Sequence, residues 1–104
     1  MFSIALTMHL RPGVLADYRE AHEQLWPEIA RGMSDNGVSM AIYHENGRLF
    51  LFATAPSAEH WNRSRQAPKL AEWDARMTAF LESSAPGKIA FNAPEKVFGF
   101  GDFK

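Results

Sequence analysis

The chain has 104 residues, of which 46% are hydrophobic and 22% are charged, and its formal net charge is -1. This length and composition are typical of a single globular domain over residues 1–104, and the lack of a basic excess argues against a nucleic-acid partner. No apolar run approaches the ~20 residues of a membrane span and no basic export segment opens the chain, so we expect neither a membrane partner nor secretion.

Cysteine is absent from the sequence. Its absence removes disulfides, thiolate nucleophiles and most structural zinc sites, and it fits a reducing, cytoplasmic location. The four histidines show neither His-x-His nor His-Glu-x-x-His spacing, and no glycine-rich phosphate loop follows a strand. We therefore expect a site that uses neither a metal nor another cofactor.

The first half of the chain predicts a strand followed by an interrupted helix. Residues 2–10 alternate between apolar and small or polar side chains, which is the period of a half-buried strand. After turn residues at 11–13, an apolar stripe that begins at Leu15 predicts a helix ending at the glycine stop of residues 35–37. Pro27 donates no hydrogen bond and clashes with the preceding turn, so we expect a kink or a restart there.

The middle of the chain predicts a hairpin and two further helices. Residues 38–45 and 48–55 have strand patterns, and the Asn46-Gly47 pair between them is a strong hairpin signal. A short helix is expected over residues 56–61, and a longer helix is expected to begin at Pro68. The apolar face of that longer helix consists of Leu70, Trp73, Met77, Phe80 and Leu81.

The end of the chain predicts a loop at residues 83–87 and a last strand at residues 96–100. The resulting order, β-α-β-β-α-β, is that of a ferredoxin-like α+β fold with a four-stranded antiparallel sheet and helices on one face. The first strand alternates with small residues rather than charged ones, and a chain of this size buries too little surface alone. We therefore expect a homodimer in which a second subunit covers the other sheet face.

The most informative segment is Tyr18-x3-His22-x3-Trp26-Pro27-Glu28. Its spacing places His22 at the centre of an apolar helix face, with Tyr18 one turn earlier. An imidazole held against apolar surface can titrate near neutral pH, and a neighbouring phenol can hydrogen-bond the same small ligand. This combination suggests proton-transfer chemistry.

Each of these residues also has a structural interpretation. His22 can be a core histidine bonded to a carbonyl that the Pro27 kink frees, and Tyr18 can point its hydroxyl into water. Trp26 and Trp73 can fill the core or pack against the C–H face of a sugar. Asp74 is typical of a solvated helix face when the spacing alone is considered.

On these residues the sequence resembles the L-rhamnose mutarotases, which are small dimeric proteins of ferredoxin-like, dimeric α+β barrel fold. The Tyr-His-Trp-Pro-Glu segment is the specific part of the resemblance, which spans most of the chain. Further matching positions are Met8, Gly37, Ala41-Ile42-Tyr43, Leu49-Phe50, Trp61-Asn62, Trp73-x3-Met77 and Val97-Phe98.

The resemblance implies that His22 is the acid/base residue, that Tyr18 contacts the sugar and takes part in catalysis, and that Trp73 and its neighbour Asp74 line the pocket. With Trp26 and Met40, these residues complete the expected substrate-binding set. Met40 stands where the family commonly has a tyrosine, and Trp73-Asp74 stands where it has an aromatic pair. The Asn-Pro-Asp-Asn-rich loop that usually precedes the last strand in the family is replaced here by residues 85–88 and the stretch to Pro94. These departures concern the identity of the sugar more than the reaction.

The expected function is therefore aldose mutarotation, in which His22 opens and closes the ring of L-rhamnose or a related deoxy sugar without a cofactor. Two other functions are compatible with the same pattern. One is a cofactor-independent monooxygenase of the dimeric α+β barrel type, which binds a flat apolar substrate. The other is a non-catalytic, small-ligand-binding dimer in which His22 is structural.

Overall fold

The floor of the fold is a sheet of three antiparallel strands. A computed structural model describes every residue of the chain, with β1 at Phe2–His9, β2 at Ser39–Glu45 and β3 at Arg48–Ala55, in the order β1-β3-β2. Asn46 and Gly47 join β2 to β3 with φ values of 51° and 77°, the left-handed angles that match the twist of a two-residue hairpin. The predicted hairpin is confirmed.

The structure has four short helices, and each begins at a proline or within three residues after one. They are α1 (Leu15–Glu23), α2 (Pro27–Asp35), α3 (Ala58–Ser64) and α4 (Leu70–Met77). The expected restart at Pro27 is confirmed: Pro27 is the first residue of α2, and Trp26 before it has the extended angles that proline favours in its predecessor. Both later helices differ from the expected bounds: α3 spans Ala58–Ser64 instead of residues 56–61, and α4 begins at Leu70 instead of Pro68. None of the helices has the length and apolarity that a membrane crossing requires.

The hydrophobic core lies between these helices and one face of the sheet. Alternate β3 residues, beginning with Leu49 and Leu51, are buried on that face. The antiparallel register places Met8 opposite Leu49 and Leu6 opposite Leu51, so β1 contributes its apolar residues to the same face. The residues of α4 that pack against this surface are Leu70, Trp73 and Met77.

Helix α2 ends in the glycine turn that the sequence predicts. Gly37 has a φ of 65°. Its amide donates to the Ser34 carbonyl at 3.2 Å and the Val38 amide donates to the Met33 carbonyl at 3.0 Å, which is the hydrogen-bond pattern of a Schellman motif. This turn leads the chain into β2, which carries Met40 on the face of the sheet that the helices cover.

The α+β class and the antiparallel sheet are confirmed, but the prediction of a fourth strand at residues 96–100 is wrong. This segment has no regular secondary structure, and Val97 and Phe98 are 93% and 82% exposed. Its alternating apolar residues satisfy the local pattern of a strand. A strand also needs a partner edge, which a local pattern does not supply.

Residues before that segment occupy the available edge instead. The loop expected at residues 83–87 contains β4 (Ser83–Ala85), which pairs with β5 (Lys88–Ile89) in a small separate hairpin. Asn92 then exchanges two backbone hydrogen bonds of 2.8 and 2.9 Å with Thr7 on the outer edge of β1. A second bridge joins Leu10 to Leu81, so the chain covers this edge with two isolated bridges rather than a full strand.

The opposite face of the sheet carries none of the four α-helices, and only the 3-10 turn at Gly101–Phe103 contacts it. Tyr43 and Phe52 lie on it with 62% and 38% of their surface exposed, and their rings meet edge to face at 5.9 Å. On the same face the Ser3 hydroxyl donates to the Phe103 carbonyl at 3.1 Å, which ties the end of the chain to β1. Cover of this face by a second subunit stays a prediction.

Replacing Gly37 by Ala tests the end of α2 against a matched position. Gly13 and Gly37 both have a positive φ, which strains an alanine by about 1–2 kcal/mol at either site. A Cβ at Gly13 meets no atom within 4 Å, whereas at Gly37 it lies 3.0 Å from Cγ of Pro56. We expect Gly37→Ala to lower the free energy of unfolding by about 1–3 kcal/mol more than Gly13→Ala, because of this overpacking. Urea unfolding measures the difference, and equal losses would contradict the close contact with Pro56.

Candidate active site

A cavity of about 600 Å³ lies between the helices and the covered face of the sheet. This volume falls within the ~300–1,000 Å³ that is typical of small-molecule sites. Of its 25 lining residues 19 are hydrophobic, so the few polar groups determine which ligand fits and in which orientation. The residues expected from the sequence that line it are Tyr18, His22, Met40, Trp73 and Asp74.

Helix α1 brings Tyr18 and His22 onto the cavity wall together. They are four residues apart, so they share a helix face, and their ring centroids are 4.4 Å apart. From α4, Trp73 packs edge to face on the His22 ring at 5.4 Å. The imidazole is thus held between a phenol and an indole, half-buried, as the sequence predicts.

The backbone fixes how the imidazole presents its nitrogens. Nδ1 of His22 lies 3.0 Å from the carbonyl oxygen of Tyr18. A carbonyl oxygen only accepts, so Nδ1 carries the proton and donates, which leaves Nε2 of the neutral ring with a free lone pair. This carbonyl belongs to α1 itself, one turn before His22, and is not one that the Pro27 break frees.

Burial sets the protonation states of both residues. Desolvation lowers the pKa of His22 below 6.5, and the hydrogen bond to the Tyr18 carbonyl only partly offsets this effect. The ring is therefore mostly neutral at pH 7. Burial raises the pKa of the Tyr18 phenol to about 12, so Tyr18 stays protonated as a donor. No protein group hydrogen-bonds its hydroxyl, which leaves that donor available to a ligand.

Trp73 and Trp26 occupy different layers. Trp73 is 6% exposed and lines the cavity, since its place in the Leu70, Trp73, Met77 stripe turns it inward. Trp26 packs edge to face behind it, with centroids 5.2 Å apart, and is not among the lining residues. This position favours the core-filling alternative for Trp26, whose direct contact with a ligand stays a prediction.

Met40 gives the sheet side of the wall an apolar character. It is half-buried on β2 opposite Ala53, on the face that the helices cover. A thioether offers little hydrogen bonding. Hydrogen bonds to a polar ligand must therefore come from other positions of the cavity.

Asp74 follows Trp73 on α4 and forms an ion pair that the sequence does not reveal. Its Oδ2 lies 3.7 Å from Nη2 of Arg65, at the end of α3. Burial raises the pKa of Asp74, while Arg65 and Lys88 pull it down. Arg65 also lines the cavity. No spacing rule connects two helices, so sequence reasoning misses Arg65.

His44 is a second lining residue that the sequence analysis leaves aside. Its Nε2 accepts the Gly47 amide at 3.0 Å, so it stabilises the hairpin turn. The strand alternation of Met40, Ile42 and His44 could have placed it on the cavity face. The structure brings no three His, Asp or Glu side chains together in a metal-binding arrangement. That the site works without a cofactor stays a prediction.

The fold and the site define a class of protein: a small α+β domain whose helices and sheet enclose an aromatic-flanked histidine in a small-molecule cavity. Residues 3–100 match the family described as L-rhamnose mutarotase. The chain belongs to the L-rhamnose mutarotase family, a family of isomerases that act on carbohydrates.

The similarity to individual members of the family extends over most of this chain and of each relative. The chain is 32% identical over 84 residues to L-rhamnose mutarotase of Brucella anthropi, covering 78% of this chain and 79% of that protein. It is 28% identical over 101 residues to the one of Escherichia coli O8, covering 94% and 97%. The crystal structure of L-rhamnose mutarotase from Formosa agariphila has a TM-score of 0.82 at 25% identity, covering 97% and 100%.

The fold is shared more widely than the family. A protein of Nitrosomonas europaea described as a candidate antibiotic biosynthesis monooxygenase has a TM-score of 0.65 at 8% identity, over 94% of this chain and 100% of that one. At this identity the likeness concerns the fold alone. It confirms that the architecture is the one on which the monooxygenase alternative depends, and it does not favour that alternative over the family.

A titration of the imidazole tests the geometry of His22. We expect its pKa below 6.5, because burial disfavours the cation, and its neutral tautomer with the proton on Nδ1. Nitrogen NMR shifts report both, and the resonance is assigned by its loss in His22→Gln. In Tyr18→Phe the tautomer should persist, since the acceptor is a backbone carbonyl. A proton on Nε2, or a pKa above 6.5, would contradict the structure.

Proposed function

We propose that this chain interconverts the α and β anomers of L-rhamnose or a related deoxy sugar, with His22 as the acid/base residue. The observation that carries the proposal is the neutral imidazole on the wall of a 600 Å³ cavity, with Nδ1 bonded to the backbone. Nε2 is then the only ring nitrogen that can exchange protons with a ligand. Family membership supplies the class of reaction.

Mutarotation needs two proton transfers and no change of oxidation state. Nε2 of His22 takes the proton of the anomeric hydroxyl as the bond between C1 and the ring oxygen breaks, which leaves an aldehyde. The Tyr18 hydroxyl donates its proton to that ring oxygen in the same step. After the carbonyl end rotates, both protons return and the ring closes as the other anomer. Atoms and charge balance without a further reactant.

The protonation states suit this division of roles. A base near neutral pH must be neutral before the reaction, and burial keeps the pKa of His22 below 6.5. A donor must keep its proton until the ring oxygen gains electron density, and the pKa of Tyr18 near 12 ensures this. The apolar lining strengthens both hydrogen bonds because it lowers the local dielectric.

Trp73 serves the sugar and the histidine at once in this proposal. An indole packs against the apolar C–H surface of a pyranose, and here it also restrains the His22 ring by its edge-to-face contact at 5.4 Å. Met40 adds apolar surface from the sheet side. A sugar with a deoxy position is a suitable partner for such a wall, because its methyl group loses no hydrogen bonds on burial.

We also propose that the chain works as a homodimer through the open face of its sheet. Exposed Tyr43 and Phe52 on that face support this, together with the exposed apolar residues at 97–100. Monomeric proteins seldom leave apolar surface of this kind in one region.

We also propose that the protein works in the cytoplasm. The absence of cysteine supports this location.

Anomer exchange followed by magnetisation-transfer NMR tests the activity. We expect His22→Gln to slow the catalysed exchange of L-rhamnose by about 10²- to 10⁴-fold, the usual contribution of one positioned acid or base. His9→Gln is the matched control, because His9 is exposed and lies outside the cavity. The proposal fails if wild type does not accelerate exchange of L-rhamnose or L-fucose, or if it oxidises a quinol with oxygen uptake.

Sedimentation velocity tests the dimer. We expect Phe52→Glu to shift the chain toward monomer, because it buries a charge in the proposed interface. Ala16→Glu places the same charge on the exposed side of α1 and should leave the association state unchanged. A wild-type chain that sediments as a monomer at micromolar concentration would contradict this part of the proposal.

A further inference from the structure

We propose that Arg65 and Asp74 together form the hydroxyl-recognition element of the cavity, which makes Arg65 a specificity-determining residue for the sugar. This inference rests on the proposed function and specifies how the same cavity recognises its substrate. Three observations carry it: the separation of the two groups, their free hydrogen-bonding capacity, and the position of Arg65 on Trp61.

The separation leaves room for a ligand atom. Nη2 of Arg65 and Oδ2 of Asp74 are 3.7 Å apart, which exceeds the ~2.7–3.2 Å of an N–H···O hydrogen bond. A hydroxyl oxygen at about 2.8 Å from both groups can accept from the guanidinium and donate to the carboxylate at the same time. A sugar hydroxyl carries both functions, so it bridges the pair without displacing either residue.

Neither group is saturated by the protein. The Arg65 guanidinium and the Asp74 carboxylate make no side-chain hydrogen bond shorter than 3.5 Å, and 31% and 26% of their side chains are exposed. Arg65 has five donors and an ionised Asp74 has about four acceptor positions, so most of their capacity is free. Among six polar lining residues of a mostly apolar cavity, this is the one pair of opposite charges.

The guanidinium is also held in place. It lies over the Trp61 ring at 5.7 Å, a cation–π contact that restricts its side chain before a ligand arrives. Trp61 is 6% exposed on α3 and is itself packed against Phe2. A preorganised donor loses less entropy on binding than a free arginine, so this position is suited to discriminate between ligands.

The other walls of the cavity offer a sugar mostly apolar surface. The sheet side carries the thioether of Met40, and the helix side carries the Trp73 ring. Recognition of the hydroxyls that do not react therefore falls to the end of the cavity where Arg65 faces Asp74. Sugars that present a hydroxyl to that end are the expected substrates, while their apolar surface faces Trp73 and Met40.

A cycle of variants and substrates tests the inference. Anomer exchange is measured for wild type, Arg65→Ala, Asp74→Asn and the control Arg63→Ala, which alters an exposed arginine of the same helix outside the cavity. The substrates are L-rhamnose, L-mannose and a series of deoxy analogues of L-rhamnose. L-mannose carries a hydroxyl on the carbon that is a methyl group in L-rhamnose. Each deoxy analogue lacks one of the hydroxyls of L-rhamnose other than the anomeric one. Thermal unfolding of each variant is measured alongside.

We expect Arg65→Ala and Asp74→Asn to raise KM for L-rhamnose about ten- to hundred-fold with little change in kcat, the effect of losing a hydrogen bond to a charged group. For one deoxy analogue, the KM of wild type should be raised by the same factor, and neither variant should raise it further. Arg63→Ala should match wild type. A merely structural role would weaken all analogues alike and show no such coupling.

The outcomes separate the two proposals. If wild type exchanges L-rhamnose but no hydroxyl is coupled to Arg65 or Asp74, this inference is overturned and the proposed function stands. If wild type exchanges none of the sugars, both are overturned. Should Arg65→Ala fail to fold, Arg65→Met keeps the side-chain stem but removes every hydrogen-bond donor, and an unchanged KM with it would also overturn the inference.

Discussion

The hydrogen bond from Nδ1 of His22 to the carbonyl of Tyr18 is the constraint around which the site is organised. It arises within a single turn of α1, so it needs no residue from elsewhere in the chain. It determines the tautomer, directs Nε2 away from the helix axis and keeps the imidazole beside the Tyr18 ring. The rest of the fold surrounds this ring with Trp73, the Tyr18 phenol and the apolar face of the sheet.

The cavity makes that arrangement effective by being mostly apolar. β1 and β3 supply aliphatic residues in register, and α4 closes the space with Trp73 and Met77. Polar groups in such surroundings are few, and a hydrogen bond there is stronger than in water. The neutral His22 and Tyr18 side chains benefit most, while Arg65 and Asp74, which are 31% and 26% exposed, benefit in part. The same lining that stabilises the core therefore determines how sharply the site can select a ligand.

Local chemistry made much of this structure predictable from sequence. Pro27 fixed a helix boundary, Asn46-Gly47 fixed a hairpin, and helical spacing placed His22 inward beside Tyr18. The sequence-based predictions failed where the structure depends on contacts between different secondary-structure elements. Residues 96–100 have a strand pattern but no partner edge, and Arg65 meets Asp74 only because the turn after α3 brings the end of that helix close to α4. Neither event leaves a trace in the spacing of neighbouring residues.

The shortness of α1 has a consequence for how the protein loses activity. Nine residues are too few to stay helical in water without tertiary support, which generally requires more than about 12–15. The turn that orients the imidazole therefore exists only while the core is packed against it. A partly opened chain retains no weakened version of the site, so the geometry of the His22 site and the cooperative folded state disappear together.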